Sequence, residues 1–120
     1  MNKIILLVSI TIFNLTANDF GSLLFHGNCT TCHFETKALS APSIIEIQEK
    51  YRTAFASKKD FVNYMSTWVL HPNKEGSLML DAIKKYELMP ELGYDLESLK
   101  TIAEYIYETD FTQAHSGHKE

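Results

Sequence analysis

The chain has 120 residues, 45% hydrophobic and 22% charged, a balance that suits one small globular domain and excludes a disordered or fibrous polypeptide. Eleven Lys and Arg stand against fifteen Asp and Glu, for a formal charge of -4. The lysines are scattered, adjacent only at Lys58, Lys59 and Lys84, Lys85, so the basic stripe of a nucleic-acid binder is missing.

Residues 1–17, MNKIILLVSITIFNLTA, combine Lys3, an apolar run from Ile4 to Phe13 and a small residue, Ala17, at a cleavage point. They read as a cleavable export signal. Asn14 breaks the run well short of the about twenty apolar residues a spanning helix needs, so retention as a membrane anchor is the lesser alternative. Cleavage removes Lys3 and no acid, leaving ten basic residues against fifteen acidic ones. The expected organisation is a signal over 1–17, a domain over 18–112 and a polar tail over 113–120. The exported compartment expected is the periplasm.

From Asp19 to Gly27 the apolar residues Phe20, Leu23 and Leu24 fall at helical spacing, which predicts a first helix running into the stretch GNCTTCH. After the loop FETKALSAP, Ser43 and Glu46 form a capping-box pattern that opens a second helix with Ile44, Ile47 and Tyr51 on one face. Asp60 is the expected cap of a third, with Phe61, Met65, Trp68 and Val69 inward, ended by Pro72 and Gly76. A fourth, shorter helix is predicted over Ser77 to Tyr86, with Leu78, Met79 and Ile83 inward. Asp95 caps the last, in which Leu96, Leu99, Ile102, Ala103 and Ile106 keep the 3.6-residue period to about Glu108. No alternating strand is evident. The fold class expected is all-α, about five short helices whose apolar faces meet around something shared, and a buried planar cofactor would fill that space.

Cys29, Cys32 and His33 carry the chemistry. Two cysteines separated by two residues present their thiols from one turn, at a reach suited to the two vinyl groups of a haem, and the next residue brings an imidazole to the iron. A dithiol redox pair would need no histidine there and more often belongs to a βαβ pattern. A structural zinc site would need four ligands, and there is no second cysteine pair. One covalently attached haem c, with its iron, is therefore the expected cofactor.

With these residues in place, the chain resembles a class I monohaem cytochrome c of the bacterial, periplasmic type. Gly21 and Phe25 lie eight and four residues before Cys29, where the family carries a glycine and an aromatic on its first helix. Tyr105 and Ile102 match the aromatic and aliphatic pair on the last helix that crosses it. The resemblance implies that Gly21 lets the two backbones approach and that Phe25 and Tyr105 pack at the crossing. It further implies that the Pro42 carbonyl accepts the second ring N–H of His33, setting its tautomer. The segment from Lys50 to Leu80 departs from the mitochondrial type.

In this family a methionine followed by proline supplies the sulfur opposite the histidine, and Met89–Pro90 in YELMPELG matches it. Proline disfavours the α conformation of the residue before it, which holds Met89 in an extended loop. The resemblance thus implies His33 and Met89 as the axial pair, with Met65 and Met79 as packing residues. Among the histidines, His71 is the alternative ligand, His26 faces away or lines the haem edge, and His115 and His118 lie in the tail. Trp68 and Tyr51 are candidate donors to the haem propionates, with core packing the favoured role for Tyr51.

The function implied is one-electron transfer by an electron carrier that is not itself an enzyme, between redox partner proteins that act as donor and acceptor. No nucleic acid is expected, and no stable membrane insertion after cleavage. A cytochrome subunit bound to a catalytic oxidoreductase is the alternative. A haem sensor or peroxidase-like enzyme with a labile Met89 is a third.

Overall fold

The computed structural model describes residues 17–113. The expected signal, apart from Ala17, and the tail beyond Gln113, with His115 and His118, lie outside the described residues. Five α-helices make up the fold: α1 (Ala17–Asn28), α2 (Ile44–Ala54), α3 (Lys58–Leu70), α4 (Leu80–Tyr86) and α5 (Leu96–Glu108). No strand occurs among the described residues. None of these helices is long and apolar enough to cross a membrane.

Helix starts follow side-chain chemistry. Ser43 Oγ accepts from the Glu46 N–H at 3.3 Å, and the Glu46 carboxylate accepts from the Ser43 N–H at 2.9 Å, so the capping box opens α2 as expected. Asp95 opens α5 by accepting from the Ser98 N–H at 2.9 Å. At α3 the expectation is corrected. Ser57, not Asp60, is the cap: its Oγ accepts from the Asp60 N–H at 3.1 Å, and Asp60 sits in the first turn, where the helix dipole favours an acid. The fourth helix starts later than Ser77. Ser77 Oγ instead accepts from the Met79 N–H at 3.0 Å, a local turn that competes with helix and delays α4 to Leu80.

α5 is the central element, packed against α1 on one side and α3 on the other, with α2 also in contact. Its buried face, Leu99, Ile102, Ala103, Tyr105 and Ile106, meets Phe25 of α1, Phe61 and Met65 of α3, and Tyr51 of α2. Where α1 crosses α5, a Cβ at Gly21 would stand 2.9 Å from the Tyr105 Cβ and 3.1 Å from the Thr101 carbonyl oxygen, so only glycine permits this approach. One turn on, Phe25 is fully buried with its ring centroid 5.3 Å from that of Tyr105. Phe111, just past α5, packs against both rings and is as deeply buried.

The end of α5 is held by α2. The side-chain amide of Gln48 donates to the carbonyls of Ile106, at 2.5 Å, and Thr109, at 2.8 Å, while the Arg52 guanidinium donates to the Tyr107 carbonyl. These are carbonyls that a helix terminus leaves without intrahelical partners, and Gln48 is buried where water would not replace it. With α1, α3 and α5 packed in this way, the five helices form a cytochrome c-like arrangement.

Candidate functional site

The end of α1 builds the motif. The Cys29 N–H donates to the Phe25 carbonyl at 2.8 Å, and the Cys29 carbonyl in turn accepts from the N–H groups of Cys32, at 3.3 Å, and His33, at 2.9 Å. The chain thus turns tightly through Cys29 to His33 and presents two thiols and one imidazole from a single turn. Phe34 and Glu35 then offer their carbonyls to the N–H groups of Ile44 and Ile45, at 2.9 and 3.1 Å. This pairing stitches the start of α2 to the residues just after the motif and brings Pro42 back to His33.

His33 Nδ1 lies 2.8 Å from the Pro42 carbonyl oxygen. A carbonyl can only accept, so Nδ1 carries the hydrogen and, in the neutral ring, Nε2 keeps its lone pair. Such a contact fixes ring orientation and raises the basicity of the second nitrogen, as second-sphere partners of metal-bound histidines do.

Cys29, Cys32 and His33 open onto one cavity bounded by α2, α3, α4, α5 and the loop from Glu87 to Tyr94. About 240 Å³ of it is accessible to water, many times the roughly 10–15 Å³ that a single water requires, so it is far larger than a packing defect. Its walls are mostly apolar, formed by residues such as Ile44, Ile47, Val69 and Ile83. Pro42, Trp68 and Met89 line it too.

Met65 and Met79 also reach the cavity, so three thioethers from three different segments share it. Met65 is a buried core residue of α3, and Met79 caps α4 through its backbone. Met89 instead comes from an irregular loop, followed directly by Pro90, which lines the same wall. His71 does not line the cavity. Its Nδ1 lies 3.2 Å from a carboxylate oxygen of Glu91, and both side chains are largely exposed. His26 is outside as well: its ring packs edge-on against Phe25 and Tyr105, with Nε2 3.2 Å from Glu35.

The body of Trp68 lines the cavity, while its Nε1–H donates to the Asn73 carbonyl at 3.0 Å. That hydrogen is directed into the 71–76 loop, and donation to a carboxylate in the cavity would have to displace this bond. Tyr51 is buried among Phe55, Phe61 and Tyr64 and also borders the cavity. Burial, with a smaller contribution from Tyr64, pushes its phenol pKa upward.

Burial pushes the Cys29 pKa up to about 11, whereas the Cys32 side chain is exposed. For zinc, no cluster of three or more His, Cys, Asp or Glu among the described residues could hold a metal ion. No family model matches the chain, and neither a curated protein nor a solved structure matches it. The all-α fold of five helices and the Cys29-x-x-Cys32-His33 spacing support the cytochrome c family in general.

The donor set fits a covalently attached haem c. Cys29 and Cys32 supply two thiols from one turn, His33 an imidazole oriented by Pro42, and the cavity an apolar bed beside them. Sequence reasoning did not find the Gln48 and Arg52 clamp on α5. Its signal was slight: one glutamine on the otherwise apolar face of α2.

Proposed function

We propose that this chain is an exported one-electron carrier whose haem is bound through thioethers to Cys29 and Cys32 and ligated axially by His33 and Met89. The observation that carries the reading is the convergence of Cys29, Cys32, His33 and Met89 on one apolar cavity. When bound, the haem iron supplies a reversible one-electron couple, and a neutral sulfur ligand raises its potential relative to a second imidazole. His33, its tautomer set by Pro42, and Met89, from the loop after α4, would be the side chains that hold the iron, and two such protein ligands would suit electron exchange rather than substrate binding. The apolar walls would exclude water from the site once the group filled it, leaving electron exchange to the side that faces the surface. Periplasmic location rests on the composition of residues 1–17.

A second reading, a subunit docked on a catalytic oxidoreductase, is favoured by Leu88 and Leu92, which border the cavity while remaining exposed. Such leucines suit a partner face that covers the mouth. A monodisperse monomer that exchanges electrons freely would count against it.

The deciding experiment compares oxidised and reduced absorption spectra of the exported protein, matured with haem-attachment machinery, with those of Met89→Ala. The expected result is covalent haem with a ferric methionine-sulfur band in the native protein, and in the variant loss of the band and gain of carbon monoxide binding. A band that survives the substitution would reassign the sixth ligand. Tight carbon monoxide binding by the native reduced protein would favour a sensor or peroxidase-like enzyme.

A further inference from the structure

Among the described residues, one non-glycine residue has a positive φ: Glu87, at φ 72° and ψ 171°. That combination lies in a region populated essentially by glycine, because a Cβ crowds the backbone there. Glu87 closes α4, its N–H donating to the Ile83 carbonyl at 2.9 Å, and the next three residues, Leu88, Met89 and Pro90, all line the cavity. At the far side of the same loop the chain uses a left-handed residue again, at φ 73°, and there it is Gly93. The loop that carries Met89 is thus bracketed by two left-handed residues, one of the type that tolerates the conformation and one that does not. No hydrogen bond or ion pair of the Glu87 carboxylate among the described residues offsets the strain.

We propose that Glu87 is a positioning residue for Met89, acting through its backbone: its left-handed conformation aims the loop so that the thioether reaches the cavity, and the strain it holds limits how tightly the sulfur binds. The proposal rests on the reading of Met89 as sixth ligand. Relaxing Glu87 to a negative φ rotates the chain by more than a right angle just two residues before Met89 and withdraws the loop from the wall. The closed loop therefore carries a cost that the sulfur–iron bond must offset, and the open loop does not. Glycine at 87 removes the cost, whereas alanine keeps it and removes only the carboxylate.

The test is competition by exogenous imidazole for the sixth position of the ferric holoprotein, followed by bleaching of the methionine-sulfur band in native protein, Glu87→Gly and Glu87→Ala, with Met89→Ala alongside. The expected result is an imidazole dissociation constant raised about fivefold or more in Glu87→Gly and unchanged in Glu87→Ala. A purely structural residue would shift the unfolding midpoint and leave this competition untouched. If Met89→Ala abolishes the band while Glu87→Gly binds imidazole as the native protein does, or more tightly, the positioning role is overturned and the ligand stands. If weaker binding appears equally in Glu87→Ala, the carboxylate and not the backbone is responsible, and the proposal fails. If the band persists in Met89→Ala, both readings fall together.

Discussion

The imidazole of His33 and the carbonyl of Pro42, nine residues apart, meet at 2.8 Å because Ser43, the residue after the proline, is the cap of α2. The capping box that starts the helix also fixes the backbone unit that holds the ring. Ser43→Ala is expected to cost about 1 kcal/mol of stability through loss of the cap. It is also expected to raise the reduction potential or broaden the ferric spectrum as the His33–Pro42 contact loosens and the ring becomes a weaker donor. Urea denaturation and a redox titration check the two effects; an unchanged potential would separate the cap from the ring.

At Gly21 the backbone of α1 comes close to α5. Gly21→Ala drives a Cβ to 2.9 Å from that of Tyr105, on two helices that cannot both yield locally. The expected cost is about 1–3 kcal/mol, read as a lower denaturation midpoint. An alanine variant of native stability would mean that the crossing is looser than its geometry implies.

Gln48 ties α2 to the last turn of α5. Gln48→Leu keeps the bulk of the side chain and leaves the carbonyls of Ile106 and Thr109 without their donor, at a cost of about 1–3 kcal/mol. Hydrogen exchange should quicken at the amides near the end of α5 before those of α3. Uniform loss of protection across all helices would instead point to a global effect.

Asp95 has its pKa lowered by hydrogen bonds from Ser98, backbone first and then the hydroxyl. A carboxyl depressed in the folded state stabilises it fully above the unfolded pKa and loses that contribution as pH falls through the folded value. Stability of the native protein should therefore decline with acidification below the ordinary aspartate range, in step with Asp110, which hydrogen bonds to Thr112 depress likewise. Asp95→Asn retains an acceptor for the Ser98 N–H and should flatten part of that decline. Denaturation midpoints across the acid range, native against variant, measure it; parallel curves would assign the acid sensitivity elsewhere.

Much of the fold is local chemistry and is legible as such. The capping box at Ser43 and Glu46, the Asp95 cap and the apolar period of α5 are all set within a few residues of one another, and the folded chain follows them. Departures arise where two local options compete. Ser57 and Asp60 both have cap chemistry, and the serine wins because it lies three residues earlier with the Asp60 amide in reach. Ser77 turns the chain on itself and shortens α4. The approach of Gly21 to Tyr105 is also anticipated, through family resemblance rather than periodicity.

The sequence by itself determined the five helices, the adjacency of Cys29, Cys32 and His33, and the haem chemistry their order implies, because each depends on contacts over a turn or two of chain. Only the tertiary structure decided that Trp68 turns its N–H toward Asn73, that His71 stays outside while three methionines border one cavity, and that Glu87 is strained; the reach of Pro42 to His33 was anticipated by resemblance alone. Each of these depends on where separately folded segments come to rest against α5, and packing between distant segments has no signature in local spacing.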